Sequence, residues 1–280
     1  MPRVLAVGIA TLDIVNRVSS YPPEDAEVRA LSQRRSRGGN ATNTLVILSQ
    51  LGHSAAWAGV LPVEADSDLV LADLAFHDVD VSAVVRPPEG KLPTSYITLS
   101  ADSGSRTIVH YRDLPEYGFA DFDELELEGF DWIHFEGRNP GELNMMLEKS
   151  RRLGIPCSLE VEKSRQGMEA LFALPDVLLF SRAWVLEQGI DSPERFLREG
   201  IGKGPSFLAW GAGGAWCRSV GGDIFHASAP AVEVVDSLGA GDVFNAGVID
   251  GLLRGLPLGD VLAGAVKLAS AKCAREGLVI

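Results

Sequence analysis

Asp236-Ser237-Leu238-Gly239-Ala240-Gly241-Asp242 is the stretch on which the reading of this chain turns. An apolar run, Ala231-Val232-Glu233-Val234-Val235, precedes it, and a helix-like segment, Val243 to Leu253, follows. The order predicts a strand, a glycine turn and a helix with a carboxylate on its first turn. Small residues let the amides of Gly239, Ala240 and Gly241 approach an anion, and the free N–H groups and positive dipole end of a helix attract phosphate. A carboxylate beside a phosphate is electrostatically awkward. Asp242 therefore points to a proton acceptor for a hydroxyl that attacks phosphorus, and the implied chemistry is phosphoryl transfer to an alcohol.

The rest of the chain limits how that turn can be used. With 280 residues, 46% of them hydrophobic, it is long enough to bury a full core in one large domain or one domain plus a small one. A formal charge of −13 argues against a nucleic-acid groove, which needs clustered Lys and Arg. The one basic cluster, Arg34-Arg35-Ser36-Arg37, reads either as a solvated strand edge or as a contact near an anionic ligand. Cys157, Cys217 and Cys273 are odd in number and widely spaced, so neither a zinc site nor a disulfide framework is expected. The apolar run Val4 to Ala10 is too short for a secretory segment, and no stretch approaches the ~20 apolar residues of a membrane helix. The expectation is a cytoplasmic protein with no membrane and no nucleic-acid partner.

Strand and helix signals alternate along most of the chain. Val4 to Ile9, Ser54 to Leu61, Trp132 to Phe135, Cys157 to Val161, Val177 to Phe180 and Phe207 to Trp210 read as strands. Ala41 to Leu51, Asp66 to Phe76, Glu142 to Leu153, Gly167 to Leu174 and Ala183 to Gln188 read as helices. Such repetition predicts an α/β fold with a doubly wound, mostly parallel sheet flanked by helices. Ligands then bind beyond the carboxyl ends of the strands, where Asp13, Glu160, Gly211 and Gly239 are expected. Two stretches break the rhythm. Thr94 to Leu99 and Arg106 to Tyr111 read as a hairpin about Asp102-Ser103-Gly104-Ser105, and residues 14–37 are extended without a clear helix. A small β-sheet lid built from two chain excursions, 14–37 and 93–114, is expected on a core of 1–13, 38–92 and 115–280.

A second constellation is Gly38-Gly39-Asn40-Ala41-Thr42-Asn43. Asn40 and Asn43, three apart at a helix start, project onto one face, where two carboxamides can bracket adjacent hydroxyls of a polyol. Taken alone, an Asn at a helix start is more often a cap. With Asp13 expected at the end of the first strand, the set suits a sugar.

These two motifs resemble the paired signatures of the ribokinase-like (PfkB) carbohydrate kinase family. Within it, the chain is similar to the ketohexokinase branch in Tyr21-Pro22, Asp25, Leu31-Ser32-Gln33-Arg34, Arg106-Thr107-Ile108-Val109, Trp132-Ile133-His134, Glu136-Gly137-Arg138-Asn139, Glu160-Val161-Glu162-Lys163 and Ala209-Trp210. The resemblance implies an enzyme, a kinase that transfers phosphate from ATP to a sugar, with a ketohexose such as fructose as acceptor. It further implies a homodimer formed through the β lid, Mg²⁺ accompanying ATP, and a monovalent cation such as K⁺ as an open addition. By matching positions, Asp13, Gly39, Asn40 and Asn43 would bind sugar hydroxyls, and Asp25 would reach the neighbouring subunit's sugar. Asp242 would be the base, and Gly239, Ala240 and Gly241 the anion hole. Arg106 would reach the ATP phosphates, and Gly211, Ala212, Gly213 and Gly214 would border the adenosine.

The chain departs from the family at several points. Ser181-Arg182-Ala183-Trp184 stands where the wider family has Asn-x-x-Glu, so the metal ligands are not assigned; Glu160 and Glu162, two apart on a strand, share a face and could serve instead. Gly202-Lys203 lacks the flanking residues of a Walker loop, and Gly8-Ile9-Ala10-Thr11 does not supply a dinucleotide fingerprint. Another kinase of this type, with ribose, another sugar or a nucleoside as acceptor, and a sugar-sensing protein on the same fold are the alternatives; Asp242 speaks against the sensor and the polar acceptor set against a nucleoside.

Overall fold

Strand β1 (Arg3–Val7) shows how the molecule is layered: Val4 and Ala6 are buried in one apolar core, Leu5 and Val7 in another. Alternating side chains that are all apolar mean a strand covered on both faces. The computed structural model describes residues 1–280. The chain continues through β2 (Thr11–Val18), β3 (Ser32–Gly38), α1 (Asn40–Gln50), β4 (Ser54–Ala58), α2 (Ala65–Phe76) and the short β5 (Val79–Asp80). The hairpin β6 (Lys91–Ser100) and β7 (Arg106–Asp113) follows, then α3 (Phe119–Asp123), β8 (Trp132–Glu136), α4 (Pro140–Arg152) and β9 (Cys157–Val161). Next come β10 (Val177–Ser181), α5 (Arg182–Glu187), α6 (Pro193–Arg198), β11 (Ser206–Ala209), β12 (Ala215–Arg218) and β13 (Ile224–Ala227). Two helices, α7 (Ala240–Leu253) and α8 (Leu258–Cys273), close the fold.

Nine strands form the large sheet in the order β13-β12-β11-β10-β9-β8-β1-β4-β5, parallel from β11 to β5, with β12 and β13 antiparallel at one edge. Helices α1, α2, α7 and α8 cover one face, and α3, α4, α5 and α6 the other. This is a ribokinase-like α/β architecture with a second, smaller sheet of order β3-β2-β6-β7. The carboxyl ends of β8 and β9 bring Glu136 and Glu160 into register as neighbours. No helix is long and apolar enough to cross a membrane.

Several expectations need correction. Ala231–Val235 forms no strand; Val232, Val234 and Val235 are exposed, and the run is held by the amides of Val235 and Asp236 donating to the Cys273 carbonyl. Its β-branched residues spell a strand, but the run pairs with no strand of either sheet. Asp13 lies inside β2 of the small sheet and not at the end of β1, because the chain leaves the large sheet at Gly8. The helix expected over Gly167 to Leu174 is a single tight turn, Glu169–Leu171. Helix α8, unpredicted, is rich in small residues: a Cβ on Gly247 of α7 would sit 2.8 Å from the Ala265 Cα, so the two helices approach backbone to backbone. That close contact leaves a weaker apolar stripe for the eye to find.

Candidate functional site

Helix α7 begins at Gly239, whose φ of 74° is left-handed, and a Cβ there would stand 2.8 Å from the Leu278 Cδ2. Both facts call for glycine. The amides of Gly239, Gly241 and Asp242 donate to no protein acceptor, and no side chain caps the helix. With Ala240 they line a cavity of about 570 Å³ at the carboxyl ends of the parallel strands. Gly241 is different from Gly239: a Cβ there would meet nothing within 4 Å, so folding alone does not demand glycine at that position.

Asp242 is buried, and its Oδ2 accepts a hydrogen bond of 2.6 Å from the Asn43 side-chain amide. The Asn43 carbonyl accepts in turn from Arg37 at 2.7 Å, and Arg37 is tied to Thr42 and Asp73. The basic cluster lies on edge strand β3 and is solvated only in part: Arg35 is exposed and pairs with Asp66, Arg34 pairs with Asp236 at 2.8 Å, and Arg37 is buried. Burial raises the Asp242 carboxyl well above its ordinary range, and the carboxylates of Glu162 and Glu136 add to this against the Asn43 hydrogen bond. Glu160 is raised likewise, by burial first and then by Asp242, Glu136 and Glu162. Its Oε1 accepts from Asn245 at 3.0 Å and Asn40 at 3.2 Å, while Oε2 is buried without a partner. Asn40 also donates to Glu162 at 3.3 Å, as expected if the two glutamates share a face.

The small sheet forms the opposite wall. Asp13 accepts from the Thr11 hydroxyl at 2.8 Å, and burial raises its carboxyl despite that hydrogen bond and one from Ser95. Gly38 has no room for a Cβ, which would collide with the Asp13 carboxylate. Gly39, at φ 104°, passes hard against the Ile9 carbonyl and lines the cavity with Asn40 and Asn43. From β7, Arg106 donates to the Ser237 hydroxyl at 2.8 Å, bridging the small sheet to the glycine turn. Asp13, Gly39, Asn40, Asn43, Arg106, Gly239, Ala240, Gly241 and Asp242 are therefore brought together, as the sequence predicts.

The other candidates lie elsewhere. Asp25 is exposed on a left-handed residue of the 19–31 loop and does not line the cavity. Gly211, Ala212 and Gly213 make an exposed turn between β11 and β12, outside the cavity lining, and Gly214 is fixed by the close Ala227 carbonyl. Sequence reasoning missed Asp236 and Lys272. Asp236 is buried and receives Arg34, the Leu238 and Gly277 amides, and Lys272, which is 0% exposed and donates to the Asp236 carbonyl at 2.6 Å. Burial pushes the Asp236 carboxyl up, but the hydrogen bond from Arg34, those from the amides and the Lys272 charge together hold it below its ordinary range. Nothing in the spacing reveals Lys272; Asn245, three residues after Asp242 on one helix face, did carry a signal. No group of three or more His, Cys, Asp or Glu side chains is arranged to hold a metal ion.

The family description "pfkB family carbohydrate kinase" matches residues 1–280. The chain belongs to the pfkB family of carbohydrate kinases. This pfkB kinase is 37% identical to a ketohexokinase of Mus musculus, over 98% of this chain and 97% of the relative. An ATP-dependent ribose-1-phosphate kinase of Halopiger xanaduensis is 27% identical over 89% of this chain and 84% of its own length. Among solved structures, an Arabidopsis thaliana ribokinase complexed with ribose and ATP superposes with a TM-score of 0.79 at 19% identity, covering 99% of this chain and 94% of that one. That last likeness speaks to the fold. The chain is a sugar kinase of the pfkB family.

Proposed function

We propose that this kinase phosphorylates a hydroxyl of a ketohexose such as fructose, with ATP as donor and Asp242 as the general base. The observation that carries the reading is the buried Asp242 carboxylate on the glycine turn, held by Asn43, in one cavity with Asp13 and Asn40. The 37% identical ketohexokinase supports the acceptor class, and so do the polar side chains Asp13, Asn40 and Asn43 gathered on the cavity wall.

In this reading the sugar is gripped by Asp13, Asn40, Asn43 and the Gly39 backbone. Asp242 takes the proton of the attacking hydroxyl, a role suited to a carboxyl whose basicity burial has raised. The free amides of Gly239, Gly241 and Asp242 receive the charge on the transferring phosphoryl group. Arg106 exchanges the Ser237 hydroxyl for a phosphate, closing the small sheet, the lid, over the site. The turn Gly211 to Gly214 borders the adenosine. The residues present fit Mg²⁺, which keeps several waters and needs only one or two carboxylates plus substrate phosphates: the unpartnered, buried Glu160 Oε2 would hold it, with Glu162 beside it. When bound, Mg²⁺ neutralises phosphate charge that otherwise opposes Asp242.

The outer face of the small sheet exposes Tyr96, Val109 and Tyr111, with Val109 65% exposed. We assign this face to a homodimer in which Asp25 reaches the partner's sugar. Val109→Asp with Tyr111→Asp should turn a dimer into a monomer by light scattering and raise the sugar KM; an unchanged mass would contradict the assignment. Gly241→Ala should gain about 0.5–1 kcal/mol of stability, since alanine suits the first helical turn. The same change should cut kcat/KM for ATP about 10²-fold, because the methyl group occupies the anion's approach. Unaltered ATP kinetics would sink the anion-hole role. The proposed activity itself is tested by ADP release with ATP and Mg²⁺ across ketohexoses, aldohexoses, ribose and nucleosides. Saturable turnover on a ketohexose supports it, and preference for ribose or a nucleoside overturns it.

A further inference from the structure

The small sheet carries a polar row across all four of its strands on the cavity side. Asp13 of β2 is in register with Ser36 of β3 and Ser95 of β6, and Ser95 is in register with His110 of β7. Facing residues on adjacent strands share a side of the sheet, and these four all line the cavity. The next rung in the same direction, Arg34, Ile97 and Ile108, lines it as well. The intervening residues Tyr96, Val109 and Tyr111 lie on the opposite, outer face. His110 is thus placed on the inner face by the twofold period of β7 and not by chance exposure.

The imidazole is solvent-exposed in this chain but anchored on one side. Its Nδ1 lies 3.2 Å from the Ser95 hydroxyl, and Ser95 is itself buried. That contact fixes the ring and leaves Nε2 with no hydrogen-bond partner in the protein. Asp13 is the carboxylate whose charge acts on it, and His110 in turn acts on Asp13, whereas the charges that bear most on Asp242 are Glu162, Glu136 and Arg37. The row therefore addresses the acceptor at the Asp13 end of the site. Partial burial, then Arg138, Lys163 and Arg112, favour the neutral ring over the opposing pull of Asp13. A neutral imidazole suits a sugar hydroxyl, to which it can donate or from which it can accept.

We infer that His110, steadied by Ser95, is a specificity-determining contact to the acceptor, bonding a sugar hydroxyl other than the one Asp242 deprotonates. The inference rests on the sugar kinase reading of the cavity and adds the residue that distinguishes one ketohexose from its epimers. A site built to hydrogen-bond a hydroxyl discriminates strongly against an acceptor that misplaces it, because a polar group is then left unpaired.

The test is steady-state kinetics of wild type, His110→Leu and His110→Gln with fructose and its C3, C4 and C5 epimers, psicose, tagatose and sorbose. His110→Leu should raise the fructose KM about tenfold, the worth of one hydrogen bond. It should leave the ATP KM within about twofold and compress the fructose preference over at least one epimer by a similar factor. His110→Gln, which can present a carboxamide where Nε2 stands, should recover much of the loss. Unchanged fructose KM and epimer ratios in His110→Leu would overturn the inference while leaving the kinase reading intact. Parallel loss on fructose and ATP would also overturn it, since a merely structural hairpin residue would act that way. If wild type phosphorylates none of the four ketohexoses, the proposed function fails and this inference with it.

Discussion

Asp242→Asn is expected to lower kcat by about 10³-fold, within the range that a positioned general base contributes, with the ATP KM little changed. The isosteric amide keeps the Asn43 contact by a flip but cannot accept the proton. Stability should move the other way. Burial raises the folded-state pKa of Asp242, so between its ordinary unfolded value of about 4 and that raised value the folded protein binds more protons than the unfolded chain. Its contribution therefore falls as pH rises through that window, and Glu160 acts in the same sense. Removing the charge should raise the melting temperature at neutral pH and flatten the decline between acid and neutral pH. A variant with near wild-type kcat would eliminate Asp242 as the base; one that is inactive but markedly less stable would point to a structural role.

Lys272→Met should produce the largest loss of stability, about 3–5 kcal/mol, measured by denaturant unfolding. Lys272 is fully buried and meets both the carbonyl and the carboxylate of Asp236. Removing one partner of a buried pair leaves an uncompensated charge, which costs far more than the pair contributes. The effect should reach the site, because Asp236 begins the glycine turn and also holds Arg34 of β3 and the Gly277 amide. We expect kcat/KM for ATP to fall together with stability. Loss below about 1 kcal/mol would mean that Arg34 and the backbone amides suffice to hold Asp236.

The glycine turn was legible because its requirement is local. Few arrangements other than close backbone approach call for Gly239-Ala240-Gly241 before a helix, and the start of α7 at Ala240 answers that pattern. The parallel core was legible for a similar reason: strands such as Val177–Phe180 are apolar on both faces and bounded by turns. Val232, Val234 and Val235 misled because β-propensity describes a residue's fit to a sheet, not whether an edge is available. Asp13 sits one strand later than expected because the turn after Gly8 transfers the chain from one sheet to another within three residues. Arg37, Lys272 and His110 depend on partners far away in the chain or across strands whose register the sequence does not state. Asn43 read as a sugar ligand; its hold on Asp242, 199 residues away, is a tertiary fact.

The most direct test of the account is ³¹P NMR of the products formed from ATP, Mg²⁺ and fructose. The account predicts one sugar phosphomonoester for each ADP, absent with Asp242→Asn. ADP formed with inorganic phosphate alone, or no phosphomonoester on any ketohexose while ribose or a nucleoside is phosphorylated, would contradict it.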